Sequence, residues 1–483
     1  MNAPLPDPAS ACAPVDPETL QRLFAAQGPR TLALRDSSAA ERLTLLQRLH
    51  GALVARRGAL YAAFRQDFGK PEVEVELSEI MPVLEEIQHA RRHLRRWMKP
   101  RRVRPTLTSL GCPAHIHSQP RGRCLIIGPW NYPVSTLLGP LVSALAAGNS
   151  VMLKPSEFTP AVNAVLRELL AEAFTPDTVA FCEGDVTTAQ ALLALPFDHF
   201  FFTGSTAVGR LVMQAAAQHL ASVTLELGGK SPAIIDASAD LDAAAELLLW
   251  GKFLNAGQSC VAPDHVFVTR RLLPAFKERC RVLLVQRYGT DAAASPDYAR
   301  LIHPRHASQL IGLLEQARAA GAQLIHGGAH DAAGCYLAPT LLDCSAVDSP
   351  LDSQELFGPL LPVIAYDDLE EVLQRIDAGP KPLALYLWSC DRAVQRRVVA
   401  RTSSGSVGLN LCMQQYTQLH LPFGGVNHSG SGSAHGQAGF RTFSHERSVL
   451  AAGPLLAVRL LLPPYSPFKL RLAQWVSRLT GGG

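Results

Sequence analysis

The sequence lacks the features of a zinc-binding, membrane-spanning or secreted protein. Its ten cysteines are scattered, without a C-x-x-C pair or histidines at zinc-ligand spacing, so we expect free thiols and no metal. No window approaches the ~18 uninterrupted apolar residues of a spanning helix. The N-terminal stretch has acidic residues and prolines where a secretory signal needs a basic and then an apolar segment. These absences predict a soluble, cytoplasmic protein.

An excess of charge of one sign is also missing. The chain has 45 basic and 41 acidic residues, which gives no reason to expect nucleic acid as a partner and leaves small molecules as the default. Its 483 residues, 47% of them apolar and 18% charged, predict a well-packed protein of two or three domains. Lysine is rare, with eight in the whole chain, so a lysine at a motif position carries extra weight.

Hydrophobic periodicity divides the chain into a helical segment and two α/β regions. From Pro17 to Trp97, apolar residues recur at helical spacing. Between Cys124 and Gly228, short apolar runs such as "CLIIG", "SVMLK" and "HFFFTG" alternate with longer helical windows, and the pattern returns from Lys230 to Phe423. Such alternation is typical of parallel sheets covered by helices on both faces. We therefore predict an α/β fold with ligands at the carboxyl ends of the strands.

Polar and glycine-rich motifs follow three strands of the first α/β region. "GPWNYP" presents Asn131 from a turn that two prolines make rigid, and "KPSE" places Lys154 and Glu157 after the next strand. "FFTGSTAVG" runs from strand to helix through Gly204 and Gly209, and its helix N-terminus can favour an anion. Each motif has a structural alternative, namely a helix cap, a surface ion pair or an ordinary turn. Together, in this order, they indicate a nucleotide site.

Two further residues carry reactive groups in unusual settings. Glu226 lies inside the apolar strand of "LELGGKSP", where a carboxylate either finds a partner or has a raised pKa and serves as a base. Cys260 stands in "NAGQSCVAPD", between a turn and a proline. An inert buried thiol needs no such setting, whereas a nucleophile does. Its thiolate could be favoured by a helix N-terminus, by local N–H groups or by a cationic cofactor.

Taken together with "ELFGP" and "PFGGVNHSGSG", these motifs resemble the NAD(P)-dependent aldehyde dehydrogenase superfamily. The resemblance extends from about residue 20 to residue 465, and the ending "FRTFSHERSVL" is closest to the class 3 and fatty aldehyde dehydrogenase branch. It implies two doubly wound parallel-sheet domains and a small β unit for bridging and oligomerisation, and a homodimer. The implied boundaries are 17–103 with 124–228 for the cofactor domain, 229–427 for the catalytic domain, and 104–123 with 428–455 for the bridging unit.

The resemblance also implies roles for individual residues. Cys260 would attack the aldehyde, Asn131 with the Cys260 N–H would hold the oxyanion, and Glu226 would activate the water that hydrolyses the thioester. NAD is the expected cofactor and NADP is possible, because Glu157 would repel a 2′-phosphate although class 3 members often accept either. The implied cofactor contacts are Trp130, Lys154, Glu157, Gly204, Ser205, Gly209, Leu227, Glu355 and Phe357.

The substrate is the least determined part of the prediction. A medium or long aliphatic or an aromatic aldehyde suits the apolar residues that we expect around the nucleophile, which are Leu137, Trp250, Met413 and Tyr416. The rival functions are a CoA-acylating dehydrogenase, which commonly lacks the glutamate at position 226, a thiol-redox protein and a non-enzymatic protein.

The tail, residues 456–483, is predicted to contain a short amphipathic helix. Its apolar side comprises Phe468, Leu472, Trp475, Val476 and Leu479, with Lys469, Gln474 and Arg478 largely opposite. Such a helix could make weak peripheral contact with a membrane. It could equally dock on its own dimer near the active-site mouth, which is the alternative we favour.

Overall fold

The computed structural model describes residues 14–453, 459–460 and 462–481. Up to residue 173 the α-helices are α1 (Pro17–Arg35), α2 (Ala39–Ala55), α3 (Arg57–Phe68), α4 (Glu72–Val75), α5 (Met81–Trp97), α6 (Ser135–Ala147) and α7 (Pro160–Ala173). They continue with α8 (Val186–Leu193), α9 (Thr206–Gln218), α10 (Leu241–Phe253), α11 (Leu273–Tyr288), α12 (Pro304–Ala319), α13 (Leu369–Ala378), α14 (Arg392–Arg401), α15 (Gly436–Thr442) and α16 (Pro467–Gly481).

The strands up to the nucleophile motif are β1 (Arg101–Val103), β2 (Ala114–Pro120), β3 (Arg123–Ile127), β4 (Ser150–Lys154), β5 (Val179–Phe181), β6 (His199–Gly204), β7 (Ser222–Leu227) and β8 (Pro232–Ile235). Those after it are β9 (His265–Thr269), β10 (Gln323–His326), β11 (His330–Asp331), β12 (Tyr336–Leu337), β13 (Thr340–Asp343), β14 (Leu360–Tyr366), β15 (Ala384–Trp388), β16 (Ser406–Leu409), β17 (Gly430–Ser431) and β18 (Ser444–Leu450).

The predicted helical segment from Pro17 to Trp97 is confirmed as α1 to α5. A capping box starts α2, because the Ser38 side chain accepts from the Glu41 N–H and the Glu41 carboxylate accepts from the Ser38 N–H. Between α4 and α5 the chain widens into one π-helical turn, Glu76–Ile80. The apolar sides of α2, α3 and α5 share one core with α6 and α7. This segment thereby forms part of the layer that covers the first sheet.

The first sheet has six strands in the order β17-β7-β6-β3-β4-β5. All neighbours are parallel except β17, which pairs antiparallel with β7. Its central strands are apolar and buried, as expected for strands covered by helices on both faces. The register places Ile127 opposite both Lys154 and Phe202, so the motifs that follow β3, β4 and β6 emerge at one edge.

The second sheet has seven strands in the order β10-β13-β14-β9-β8-β15-β16. Only β10 runs antiparallel to its neighbour; the rest of this sheet is parallel. Its strands pack in a core with α10, α11 and α12. Both α/β regions therefore form the predicted parallel sheets, and the α/β fold class is confirmed.

A separate three-stranded antiparallel sheet has the order β1-β2-β18. It joins β1 and β2, which precede the first sheet in the chain, to β18 near the end of the chain. The predicted domain boundaries remain predictions. The helix α16 lies against the short turn Leu107–Ser109 between β1 and β2. None of the helices in the described ranges is long and apolar enough to cross a membrane.

Candidate active site

The carboxyl edge of the first sheet gathers the strand-end motifs. Lys154 ends β4, and its ammonium donates to the Glu157 carboxylate over 2.9 Å. The Lys154 side chain is only 4% exposed and that of Glu157 is 21% exposed. The pair is therefore built into the sheet edge and is not the surface ion pair that the sequence left open.

The next motif begins α9 at the same edge. The Ser205 hydroxyl caps this helix by accepting from the Val208 N–H over 3.4 Å. Gly209 lets the helix pack closely on β7, since a Cβ at this position would lie 2.8 Å from the Leu227 side chain. The N-terminus of α9 follows directly on the end of β6, so its free N–H groups can favour a bound anion such as a pyrophosphate.

The loop before Cys260 has a strained backbone. Asn255, Ala256 and Gly257 all lie in the left-handed region, with φ of 53°, 52° and 76°. This conformation costs about 1–2 kcal/mol for a residue such as alanine. Gly257 cannot carry a side chain, because a Cβ would lie 2.3 Å from the carbonyl oxygen of Gly358. Such strain persists only where surrounding contacts fix the backbone.

Amide side chains supply those contacts and join this loop to the turn that carries Asn131. The Asn131 side chain donates to the Gln258 carbonyl over 3.0 Å, and the Asn255 side chain donates to the Asn131 carbonyl over 2.9 Å. The Gln258 side chain donates to the Asn255 carbonyl and accepts from the Ile302 N–H, each over 3.0 Å. Sequence reasoning missed Asn255 and Gln258, although the motif "NAGQSC" contains both.

Cys260 follows in a turn before β9, and not at a helix N-terminus. The residue as a whole is partly exposed, while its thiol is enclosed by the site. Burial raises the pKa of Cys260 to about 12, with the carboxyls of Glu355 and Glu226 acting in the same direction, while local N–H groups lower it by less. Of the three sources of thiolate character expected from the sequence, local N–H groups are present at this turn and a helix N-terminus is not.

Glu226 is a buried carboxyl near the end of β7. It is 6% exposed, and within the described ranges neither carboxyl oxygen has a hydrogen-bond partner. It pairs in register with Thr203 on β6 and Gly430 on β17, so neighbouring strands enclose its backbone on both sides. Burial therefore raises the pKa of Glu226 well above its ordinary value. A raised pKa without hydrogen-bond partners corresponds to the second of the two alternatives that the sequence left open for this carboxylate.

The remaining predicted cofactor residues are Glu355, Trp130 and Phe357. Glu355 accepts from the Gly229 N–H, and burial raises its pKa to about 8. The rings of Trp130 and Phe357 contact edge to face with centroids 5.4 Å apart. His306, which the sequence did not single out, places Nε2 3.0 Å from the Phe357 carbonyl oxygen and its ring 6.0 Å from Trp130.

The residues predicted as substrate walls occupy different environments. Leu137 is fully buried in the core beneath the first sheet. Met413 is 9% exposed and packs beside Gly251 of α10, next in sequence to Trp250, which is partly exposed. Tyr416 is also partly exposed and makes an edge-to-face contact with Phe423 at 4.9 Å.

The chemistry of this site has counterparts among known proteins. The family model described as "Aldehyde dehydrogenase family" matches residues 12–449. This chain belongs to the aldehyde dehydrogenase family. It is therefore an enzyme that oxidises aldehydes with NAD or NADP, which confirms the predicted function and cofactor.

Individual relatives cover nearly the whole length of this aldehyde dehydrogenase. It is 43% identical over 447 residues to a probable coniferyl aldehyde dehydrogenase of Pseudomonas aeruginosa, covering 92% of this chain and 94% of the relative. It is 39% identical to the dimeric NADP-preferring aldehyde dehydrogenase of Canis lupus familiaris over 88% of this chain and 93% of the relative. The latter similarity confirms the resemblance to the class 3 branch.

A solved structure supports the fold assignment of this aldehyde dehydrogenase. The substrate-bound state of Staphylococcus aureus AldH superimposes with a TM-score of 0.90 at 37% identity, covering 94% of this chain and 99% of that one.

Proposed function

We propose that Cys260 is the nucleophile and that Glu226 is the base that releases the product. The observation that carries this proposal is the Glu226 carboxyl, which is buried without a hydrogen-bond partner among the described residues and close enough to the Cys260 thiol for the two groups to interact. Attack of the thiolate on the aldehyde carbon gives a thiohemiacetal, and oxidation leaves a thioester on Cys260. Glu226 then takes a proton from the water that hydrolyses this thioester.

Asn131 is the side-chain donor to the oxyanion in this proposal. Its amide carries two N–H groups, so one can hold the Gln258 carbonyl while the other meets the developing charge. The Cys260 N–H is the second donor. The hydrogen bonds between the Asn131 turn and the nucleophile loop fix the two donors relative to each other, as an oxyanion site requires.

The donor set at the sheet edge fits a dinucleotide. Lys154 and Glu157 offer a donor and an acceptor for the hydroxyls of the adenosine ribose, and the start of α9 suits the pyrophosphate. Glu355 is placed for the second ribose, with the rings of Trp130 and Phe357 for the nicotinamide. When bound, the nicotinamide accepts the two electrons and the hydrogen that the aldehyde carbon loses. Gly204, Ser205, Gly209 and Leu227 shape the same edge.

Glu157 governs the choice between NAD and NADP in this arrangement. We expect Glu157→Gln to raise kcat/KM for NADP relative to NAD by about tenfold, or about 1.4 kcal/mol, because it removes a negative charge and frees the Lys154 ammonium for a 2′-phosphate. The ratio is measured by NADH and NADPH absorbance with one aldehyde. Glu278→Gln, which removes a carboxylate paired with Arg281 at the surface of α11, is the control. An unchanged ratio in Glu157→Gln would remove this residue from the cofactor site.

The substrate is proposed to be a medium or long aliphatic or an aromatic aldehyde. Trp250, Met413 and Tyr416 are proposed to form an apolar wall against such a chain or ring. One relative is named for coniferyl aldehyde, which is an aromatic aldehyde. A panel of aliphatic, aromatic and charged aldehydes, assayed by NADH formation with and without CoA, tests the proposal. Carboxylic acid products and a preference for apolar aldehydes are expected. A CoA-dependent reaction, or a preference for charged aldehydes, would contradict it.

We also propose that the protein works as a cytoplasmic homodimer. The nine cysteines within the described ranges are free, as is usual in a reducing compartment. On α9, Val208 and Leu211 lie one turn apart and are 43% and 58% exposed, which suits a subunit contact. The name of the canine relative includes the word dimeric.

In this dimer, α16 is proposed to dock near the mouth of the substrate cleft. Phe468, Trp475 and Leu479 are 67%, 58% and 55% exposed in the single chain, so the helix has apolar surface for a partner. Deleting the residues from Ser466 onward should lower kcat/KM for a long-chain aldehyde at least about fivefold more than for a short one. That difference corresponds to about 1 kcal/mol of lost apolar contact. Equal effects on both substrates, or none, would contradict this role, and flotation with anionic liposomes tests membrane contact separately.

A further inference from the structure

One short segment, residues 70–80, contacts both parts of the proposed oxyanion site. These parts are the turn that carries Asn131 and the loop that leads to Cys260. Near its end, the buried Glu79 carboxylate accepts from the N–H groups of Val134 and Ser135 over 3.1 and 3.0 Å, where α6 begins just after the Asn131 turn. Glu79 is also paired with the buried Lys70 over 2.8 Å. The two hydrogen bonds from Glu79 to the start of α6 thereby hold the turn that carries Asn131.

Glu74, in the same segment, contacts the other half. Its Oε2 accepts from the backbone N–H of Asn255 over 2.9 Å, although the two residues are 181 positions apart in the chain. Asn255 is the first residue of the left-handed run that leads to Cys260, and its side chain reaches the Asn131 carbonyl. The carboxylate of Glu74 therefore holds the residue at which the strained loop and the oxyanion turn meet.

We propose that Glu74 is a positioning residue that holds the nucleophile loop in its reactive conformation, and that it does so more strongly when ionised. The proposal rests on the proposed roles of Cys260 and Asn131. An ionised carboxylate accepts a shorter and stronger hydrogen bond from an amide than a neutral carboxyl does. Loss of the charge lets the left-handed backbone at Asn255 and Ala256 relax, which displaces Cys260 from its oxyanion donors.

The surroundings of Glu74 place this change of charge within the working range of pH. Burial raises the pKa of Glu74 to about 7, partly opposed by the Lys70 ammonium and by the Asn255 N–H. The other ionisable groups that face Glu74 are Asp297, Tyr288, Tyr298 and Tyr132. The charge of Asp297 also raises the pKa of Glu74. Burial raises the pKa of each of the three tyrosines, which therefore stay neutral. Glu74 therefore changes charge near pH 7.

The test compares kcat/KM for an aldehyde in the wild-type protein and in Glu74→Gln from pH 5.5 to 8.5, at saturating NAD. The amide keeps the shape and an acceptor oxygen but stays neutral. We expect the wild type to exceed the variant about fivefold at pH 8.5, the difference between a charge-assisted and a neutral hydrogen bond. The ratio should fall to about one at pH 5.5, where both side chains are neutral. Glu226 and Glu355 titrate in both proteins, so the ratio isolates position 74.

Glu72→Gln is the matched control, because Glu72 lies on the same helix but pairs with Arg65 at the surface. Its ratio to wild type should be about one at every pH. A constant ratio for Glu74→Gln, of any size, would overturn the proposal, since a merely structural contact gives that result. If Glu74→Gln does not fold, Glu74→Asp serves instead: it retains a charge, so the ratio of wild type to this variant should not show the fivefold rise between pH 5.5 and 8.5, and the same rise would overturn the proposal.

The same preparations separate this inference from the proposed function. Activity in Cys260→Ala would refute the proposed nucleophile whatever the behaviour of Glu74. An inactive Cys260→Ala together with a constant ratio for Glu74→Gln would refute only the role of Glu74.

Discussion

Replacing Cys260 by alanine is expected to lower aldehyde oxidation by on the order of 10⁴-fold or more while leaving NAD affinity nearly unchanged. The thiol is assigned to the covalent bond with substrate, whereas the cofactor contacts are assigned to the edge of the first sheet, at Lys154, Glu157 and the start of α9. Stopped-flow NADH formation measures the first quantity, and titration of NAD by calorimetry measures the second.

Cys390→Ala is the matched control, because Cys390 is exposed, lies after β15 and has no assigned role in the reaction. It should oxidise aldehydes at the wild-type rate. Retention of most turnover in Cys260→Ala would refute the nucleophile, and a parallel loss of NAD binding would show that the substitution disturbed the fold of the site.

Replacing Glu226 by glutamine is expected to slow release of the product by about 10²–10⁴-fold, the usual contribution of a general base. Acylation should be affected less, because Glu226 is assigned to the water that attacks the thioester. NADH should then form in a rapid burst of about one equivalent per active site, followed by slow turnover. Stopped-flow absorbance at several enzyme concentrations measures the burst.

An added nucleophile provides the complementary test of Glu226. Hydroxylamine attacks a thioester without a protein base, so it should restore part of the steady-state turnover of Glu226→Gln and release a hydroxamic acid. If the burst and the steady-state rate fell together and hydroxylamine had no effect, Glu226 would act before the thioester forms and would need another role.

The polar motifs at the strand ends of the first sheet could be predicted from the sequence because their positions depend on local sequence patterns. Apolar runs that alternate with helical windows indicate parallel strands, and the motif after each run must then emerge at the carboxyl edge. The positions of Asn131, Lys154 and Gly204 along the first sheet could therefore be deduced before the register was known. Glu226 could be singled out for a similar reason, since a carboxylate inside an apolar strand is unusual wherever the strand lies.

The parts that could not be predicted depend on contacts between distant segments. The left-handed backbone at Ala256 has no local signal, since alanine favours other conformations, and it is maintained by Asn131, Gln258 and Glu74. Glu74 sits in a helical pattern where a charged residue suggests only a solvated face. In the second sheet β8, β13 and β16 are only four residues long, which gives a weak signal in the sequence. The place of Leu137 in the sequence does not distinguish a core position from a cleft wall, and the structure places it in the core.

The central claim, that the acyl group is carried by Cys260, is tested most directly by mass spectrometry of Glu226→Gln quenched with acid during turnover of an aromatic aldehyde. The account predicts that the protein gains the mass of one acyl group, that hydroxylamine removes it, and that digestion places it on the peptide containing Cys260. An acyl group on another residue, or no adduct while NADH accumulates in a burst, would contradict it.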